Sequence, residues 1–183
     1  MKNKTIDTKR ELIEACKNGD RYAQKKLYED YCDAMYNICV RMVKDPDDAA
    51  DVLQNAFINV FRHIDKFKFE STPGAWIKRI VINHCMNHFR ANKITMEELK
   101  DYDQPVAEDI EIDDELINIT AIKGAINQLS TGYRSVINLY LFEGYDHAEI
   151  AEIMGITVAT SKTQYHRAKK KLRSLLEDYK IAC

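Results

Sequence analysis

Residues 145–176, YDHAEIAEIMGITVATSKTQYHRAKKKLRSLL, decide how this chain is read. Asp146 is placed to cap a helix, Glu149 three residues on closes a capping box, and Ile150, Ala151 and Met154 then recur at helical spacing. Gly155 ends that helix, because a residue without Cβ enters the left-handed backbone of a tight turn at no steric cost. Ala151 is small enough for a second helix to approach closely, and Thr157 is placed to cap that helix, which the pattern predicts from Val158 to about Leu176. Two helices joined in this way form a helix-turn-helix. The second carries Lys162, Arg167, Lys169, Lys170, Lys171 and Arg173 against Glu177 and Asp178, so its field favours phosphate. Lys162, Thr163, His166 and Arg167 are placed to reach base edges, while Lys170 and Lys171 lie farther along, where phosphate contacts are expected. The same pattern also suits a plain helical hairpin whose lysines form a solvated face.

The 183 residues hold one medium domain or two small ones, and 45% apolar with 31% charged residues is ordinary for a soluble globular chain. The opening MKNKTIDTKREL has no apolar core for a signal peptide, and no window approaches about 18 uninterrupted apolar residues, so a cytoplasmic location without direct membrane insertion is expected. Five scattered cysteines with no CxxC pair argue against a disulfide framework and against a zinc ribbon.

The net charge of −2 conceals an uneven distribution. Residues 1–96 hold 17 basic and 13 acidic side chains, residues 97–115 hold 1 and 10, and residues 116–183 hold 9 and 6. The middle segment, EELKDYDQPVAEDIEIDDE, has few large apolar residues and includes Pro105, so it reads as an extended acidic linker. A solubilising tether and an imitation of nucleic acid in a basic channel are both open to it. The expected organisation is therefore all-α: a helical domain over residues 1–94, the acidic linker over 95–115, and a helix-turn-helix domain over 116–183.

The first block has helical periodicity almost throughout. A short helix is expected around Lys9 to Lys17, a turn at Asn18-Gly19-Asp20, and then a long apolar stripe of Ala23, Leu27, Tyr31, Ala34, Met35, Ile38, Cys39 and Met42. After a turn near Lys44, Asp45 caps a helix with Pro46 at its first position, whose buried face is Ala49, Val52, Leu53, Ala56, Phe57, Val60, Phe61 and Ile64. Its other face carries Asp48, Asp51, Asn55, Ile58, Asn59 and Arg62. An exposed Ile58 among acids and amides suits either a docking surface or an ordinary solvated face. Next, Phe67, Phe69 and Trp76 surround a turn with Pro73 and Gly74. The helix behind it, from about Gly74 to Arg90, buries Ile77, Ile80 and Val81 and turns Arg79, Asn83, Met86 and Arg90 outward. Rings, an amide and cations together are what single-stranded nucleic acid needs, although core packing is the simpler role for Trp76 and for Phe67.

His84 and His88 stand four apart and could chelate zinc, but Cys85 occupies the place of a zinc protease's glutamate and no third ligand is evident, so boundary packing is the expected role. No catalytic residues, metal site or cofactor are expected, since phosphate loops, nucleophile triads and paired carboxylates are all missing.

Together these segments resemble a bacterial RNA polymerase sigma factor of the small extracytoplasmic-function (ECF) type. DDAADVLQNAFINVFRHIDKF, residues 47–67, is similar to the family's polymerase-docking helix; TPGAWIKRIVINHCMNHFR, residues 72–90, to its promoter-melting segment; and LSTGYRSVINLYLFEGYDHAEIAEIMGITVATSKTQYHRAKKKL, residues 129–172, to its minus-35 reading domain. The resemblance implies a two-domain all-α transcription initiation factor, not itself an enzyme, with core RNA polymerase and promoter DNA as partners and commonly an anti-sigma factor. It places Asp48, Asp51, Gln54 and Phe57 on the docking helix, where Asn55 and Ile58 continue the outward strip. It sets Phe67 and Asn83 around an unstacked minus-10 base with Arg79 and Arg90 near its phosphates, and turns Lys162, Thr163, His166 and Arg167 to the minus-35 element with Arg134 as a backbone contact. Two departures stand out: Ser161 where a β-branched apolar residue is usual, and Tyr165 where leucine is frequent. The competing classes are an autonomous helix-turn-helix repressor or activator, with residues 1–96 for dimerisation or sensing, and a metal-dependent enzyme built on His84 and His88.

Overall fold

A computed structural model describes residues 8–92 and 119–181 of the chain. Every regular element among them is helical. The chain divides into two compact units, residues 1–88 and 89–183. The acidic segment read as a linker lies outside the described residues.

In the first unit, α1 (Lys9–Lys17) starts at Thr8, whose hydroxyl accepts from the Glu11 amide, and it buries Leu12, Ile13 and Cys16. Asn18 and Gly19 turn the chain, and Asp20 caps α2 (Arg21–Val43) by accepting from the amides of Tyr22 and Ala23. The α2 stripe is buried at Ala23, Leu27, Met35, Ile38, Cys39 and Met42, whereas Tyr31 is half-buried and Ala34 is exposed, so the expected stripe is narrower than read. Lys44 leaves the helix at φ 77°, and Asp45 caps α3 (Pro46–Arg62) through the amides of Asp47 and Asp48, with Pro46 occupying a first-turn position where no amide is needed. Acids at this end of α3 also suit the positive end of the helix dipole.

A short 3₁₀ turn, Ile64–Lys66, leads into the aromatic loop and then α4 (Pro73–Ala91). Gly74 is required here: a Cβ would come within 2.9 Å of the Tyr31 ring on α2. The buried residues of α4 are Ile77, Val81, Ile82, Cys85, Met86 and Phe89. Met86, expected on the outward side, is 1% exposed, and Ile80, expected in the core, is half-buried. The apolar arc is thus rotated from the one read, because the wide stripe also takes in Ile82, Cys85 and Phe89.

The second unit contains α5 (Ile119–Gln128), α6 (Thr131–Ile137), a π-type turn at Asn138–Phe142, α7 (His147–Met154) and α8 (Val158–Ile181). Leu129, Ile137 and Ala168 form a buried cluster covered by Tyr133, Tyr165, Leu172 and Leu175, so α6 packs on the middle of α8. α8 runs past the expected Leu176, consistent with a stretch that holds neither glycine nor proline to stop it.

Candidate polymerase and promoter interfaces

The strip on α3 expected to dock polymerase is solvent-facing. Asp48, Asp51, Gln54 and Asn55 are exposed, and Ile58 is 49% exposed between buried Phe57 and Val60. Phe57, set in the buried face by its spacing and on the docking helix by the resemblance, follows its spacing: it is 3% exposed, with its ring edge-on to Tyr28 at 4.8 Å and near Phe61 at 6.1 Å. A ring so placed joins α3 to α2. The histidines of α4 face α3 as well. His84 Nε2 lies 3.2 Å from the Asn59 side-chain amide, and His88 Nε2 lies 3.7 Å from the carboxylate of Asp48. Burial holds the His84 pKa below its usual 6.5, which favours a neutral ring able to accept from Asn59. No group of three or more metal-ligating side chains occurs among the described residues.

The aromatic loop is closed rather than open. Phe67 is 3% exposed, with its ring 4.9 Å from Phe69 and 5.3 Å from Trp76. As the structure stands, Phe67 therefore forms the floor of an aromatic cluster instead of a free stacking face, and the half-buried rings of Phe69 and Trp76 lie nearer solvent. Its burial agrees with the core-packing role that the sequence left open for Phe67. Asn83 and Arg90 are exposed on α4 and Arg79 is half-buried. Thr72 starts this helix by accepting from the Ala75 amide with its hydroxyl and from the Trp76 amide with its carbonyl.

The helix-turn-helix forms as its caps require. Asp146 accepts from the amides of Ala148 and Glu149 at 2.8 Å each, and Glu149 accepts in return from the Asp146 amide at 2.9 Å. Gly155 closes α7 at φ 70°, and the Thr157 hydroxyl accepts from the Thr160 amide at 3.0 Å to open α8. Along α8, Ser161, Gln164 and Ala168 are buried, while Lys162 and Lys170 are exposed and Thr163, His166 and Arg167 are half-buried. At about 100° per residue, the centres of these two sets lie roughly 160° apart around the helix. The cationic face therefore points away from the packed one. The Thr163 hydroxyl donates to the Ala159 carbonyl at 3.0 Å, leaving its lone pair and methyl for a base edge.

Arg134 is not on this surface. It is 3% exposed, its guanidinium donates to the Leu129 carbonyl at 3.0 Å, and burial lowers its pKa to about 10. The expected DNA-backbone contact is corrected to an internal brace between the end of α5 and α6, because the stem of a long cationic side chain can lie inside a small domain when its head finds a carbonyl.

The two departures at Ser161 and Tyr165 meet one partner that the sequence did not single out. His147 Nδ1 lies 2.9 Å from the Ser161 hydroxyl, and the His147 ring stacks on Tyr140 at 4.8 Å and meets Tyr165 edge-on at 5.7 Å. Tyr140 also contacts Tyr165 at 4.5 Å. A polar and aromatic cluster thus fixes α7 on α8 where an apolar side chain would otherwise fill the gap. Burial, with repulsion from Lys162 next, holds the His147 pKa below 6.5 against a smaller pull from Asp146. Leu141 and Phe142, 52% and 50% exposed, were also passed over in the sequence, since their segment has the same composition as a buried helix.

These features define a DNA-reading helix-turn-helix unit following a helical unit with a solvent-facing acidic and amide strip. Known families agree: Sigma-70 region 2 matches residues 27–94, and the region 4 form of Sigma-70 matches residues 119–172. The chain is 32% identical over 178 residues to the ECF RNA polymerase sigma factor SigW of Bacillus subtilis, a match covering 91% of this chain and 95% of that one. It is 29% identical to the RNA polymerase sigma-H factor of Pseudomonas aeruginosa, over 94% of this chain and 96% of that one. Among solved structures, the sigma factor RpoE of Bartonella quintana, determined with the anti-sigma factor NepR, shares its fold with a TM-score of 0.58 at 24% identity, covering 84% of this chain and 96% of that one. The chain belongs to the ECF RNA polymerase sigma factors and directs the polymerase to promoters.

Proposed function

We propose that this sigma factor divides its task among three surfaces. The strip of Asp48, Asp51, Gln54, Asn55 and Ile58 on α3 docks core RNA polymerase. The outer side of α4, with Asn83 hydrogen-bonding and Arg79 and Arg90 tracking phosphate, receives an unstacked minus-10 base beside the Phe67–Trp76 cluster. The face of Lys162, Thr163, His166, Arg167 and Lys170 reads the minus-35 element. The first domain extends over residues 1–94 and the second over 116–183, joined by the acidic linker. The protein acts in the cytoplasm by binding alone, without catalysis of its own, and no helix among the described residues is long and apolar enough to cross a membrane. An anti-sigma factor is an expected partner, since the structurally similar RpoE was solved with one.

The observation that carries this reading is the separation of faces: on both α3 and α8 the side chains assigned to partners lie opposite those committed to packing. Ile58 supports the docking role most directly, because a half-exposed apolar side chain bordered by acids and amides offers a desolvated centre with a polar rim. The test is charge reversal. Asp51→Lys is expected to retain the helical content of wild type and to weaken core-polymerase binding, since Asp51 is exposed and its change costs little in folding. A folded Asp51→Lys chain with undiminished polymerase affinity removes α3 from the docking role.

A further inference from the structure

The loop between α3 and α4 contains a residue in a conformation that its type disfavours. Phe69 sits at φ 61°, in the left-handed region where a bulky side chain is a rare occupant and glycine or asparagine a common one. Such a bend persists only where the surroundings hold it. Here the Phe69 ring is held from two directions within the first unit: it packs edge-on to Phe67 at 4.9 Å, and two cations from α1 lie against it. Arg10 Cζ is 4.8 Å and Lys17 Nζ 4.7 Å from the ring centroid. Lys17 is steadied in turn by Glu14 at 3.5 Å. α1 also packs on the 3₁₀ turn that opens the loop, so it grips the loop at its base and at its bend.

We infer that Phe69 is a positioning residue for minus-10 recognition, clamped by Arg10 and Lys17 of α1 so that the loop keeps the Phe67–Trp76 cluster in its base-receiving arrangement. This rests on the proposed role of α4 and adds a part for α1, which otherwise contacts neither polymerase nor DNA in the reading above. Without the cations, the bend relaxes to negative φ and the ring swings away from Phe67. The aromatic cluster then loses its outer wall, while α3 and its docking strip are untouched.

The test uses the full-length chain, alone and assembled with core polymerase. Hydrogen exchange of the amides at residues 68–71 reports the clamp, and base preference at each minus-10 position on a pre-melted promoter reports recognition. Replacing both cations, Arg10→Gln with Lys17→Gln, is expected to speed loop exchange and reduce base preference by roughly fivefold, as the loss of two ring–cation contacts implies. Phe69→Leu keeps apolar bulk without a π face and is expected to behave like the double variant. Phe69→Tyr, which keeps the face, retains wild-type exchange and preference. Polymerase affinity stays unchanged in all three. Unchanged loop exchange in the double variant overturns the clamp. Faster exchange with intact base preference, while Asn83→Ala does alter preference, overturns the positioning role and leaves the minus-10 site standing. If neither Asn83→Ala nor the double variant alters preference, the minus-10 reading fails and this inference with it.

Discussion

Arg167 and Lys170 lie on one face of α8, about one turn apart, and the proposed minus-35 reading gives them different work. A guanidinium that pairs with a base edge distinguishes one base from another, so Arg167→Ala is expected to cost about 1–3 kcal/mol on the preferred minus-35 sequence and to relax preference at one position. Lys170→Ala is expected to weaken all sequences alike and to lower the slope of log affinity against log salt by about 1. Titration of holoenzyme against matched and singly substituted promoters at several salt concentrations separates the two. Arg134 shows the limit of such residue-level reading: one arginine in a basic domain looks much like another until the partner helices are in place, and this one is spent on the Leu129 carbonyl. His147 carries a separate expectation. Its folded pKa lies below the usual 6.5, so the unfolded chain takes up a proton first as pH falls, and the fold loses stability from about pH 6.5 downward until the folded ring also titrates. His147→Gln, which keeps a partner for Ser161, is expected to flatten this part of the pH dependence of the thermal midpoint; a slope equal to wild type would assign the effect to other groups.

Each helix whose start is marked by a side-chain cap was legible in the sequence, because capping acts over three or four residues. Asp45 with Pro46, Asp146 with Glu149, and Thr157 all occupy the roles their spacing predicts. The helix-turn-helix depends on two of these and on Gly155. Asp146→Ala is expected to destabilise the second unit by about 1 kcal/mol by leaving amides of the first turn uncapped. Gly155→Ala is expected to cost roughly 1–2 kcal/mol through the left-handed backbone alone, since a Cβ there meets nothing closer than 3.9 Å. Both are read as lowered thermal midpoints with minus-35 affinity falling in parallel, and an unchanged midpoint in either case contradicts the capping account. What periodicity could not settle was how wide each buried arc becomes. Met86 was placed outward by its spacing and is buried, because neighbours on other helices also decide whether a large apolar side chain is covered, whereas Phe57 is buried as its spacing predicts.

For the molecule as a whole, the all-helical class and a region 2 segment followed by a region 4 segment were readable from three short stretches, since each has its own chemistry: acids and amides outside an apolar stripe, rings around a Pro-Gly turn, and cations behind a capped turn. The cluster of His147, Ser161, Tyr140 and Tyr165 was not, because it joins residues up to 25 positions apart that signal nothing individually. The proposed division of surfaces, like the chain's family, sets it apart from a self-sufficient repressor. A repressor presents its whole recognition surface to duplex DNA, whereas the minus-10 role proposed for α4 calls for a base already out of the stack, and so for polymerase to hold the strands apart. The most direct measurement is permanganate reactivity of minus-10 thymines, together with a footprint, on a cognate promoter given the chain alone, core polymerase alone, and both. The account predicts a protected minus-35 element and reactive minus-10 thymines only when both are present, with Asn83→Ala reducing the reactivity while leaving minus-35 protection in place. A tight footprint from the chain alone, with core polymerase adding neither protection nor strand opening, would contradict it.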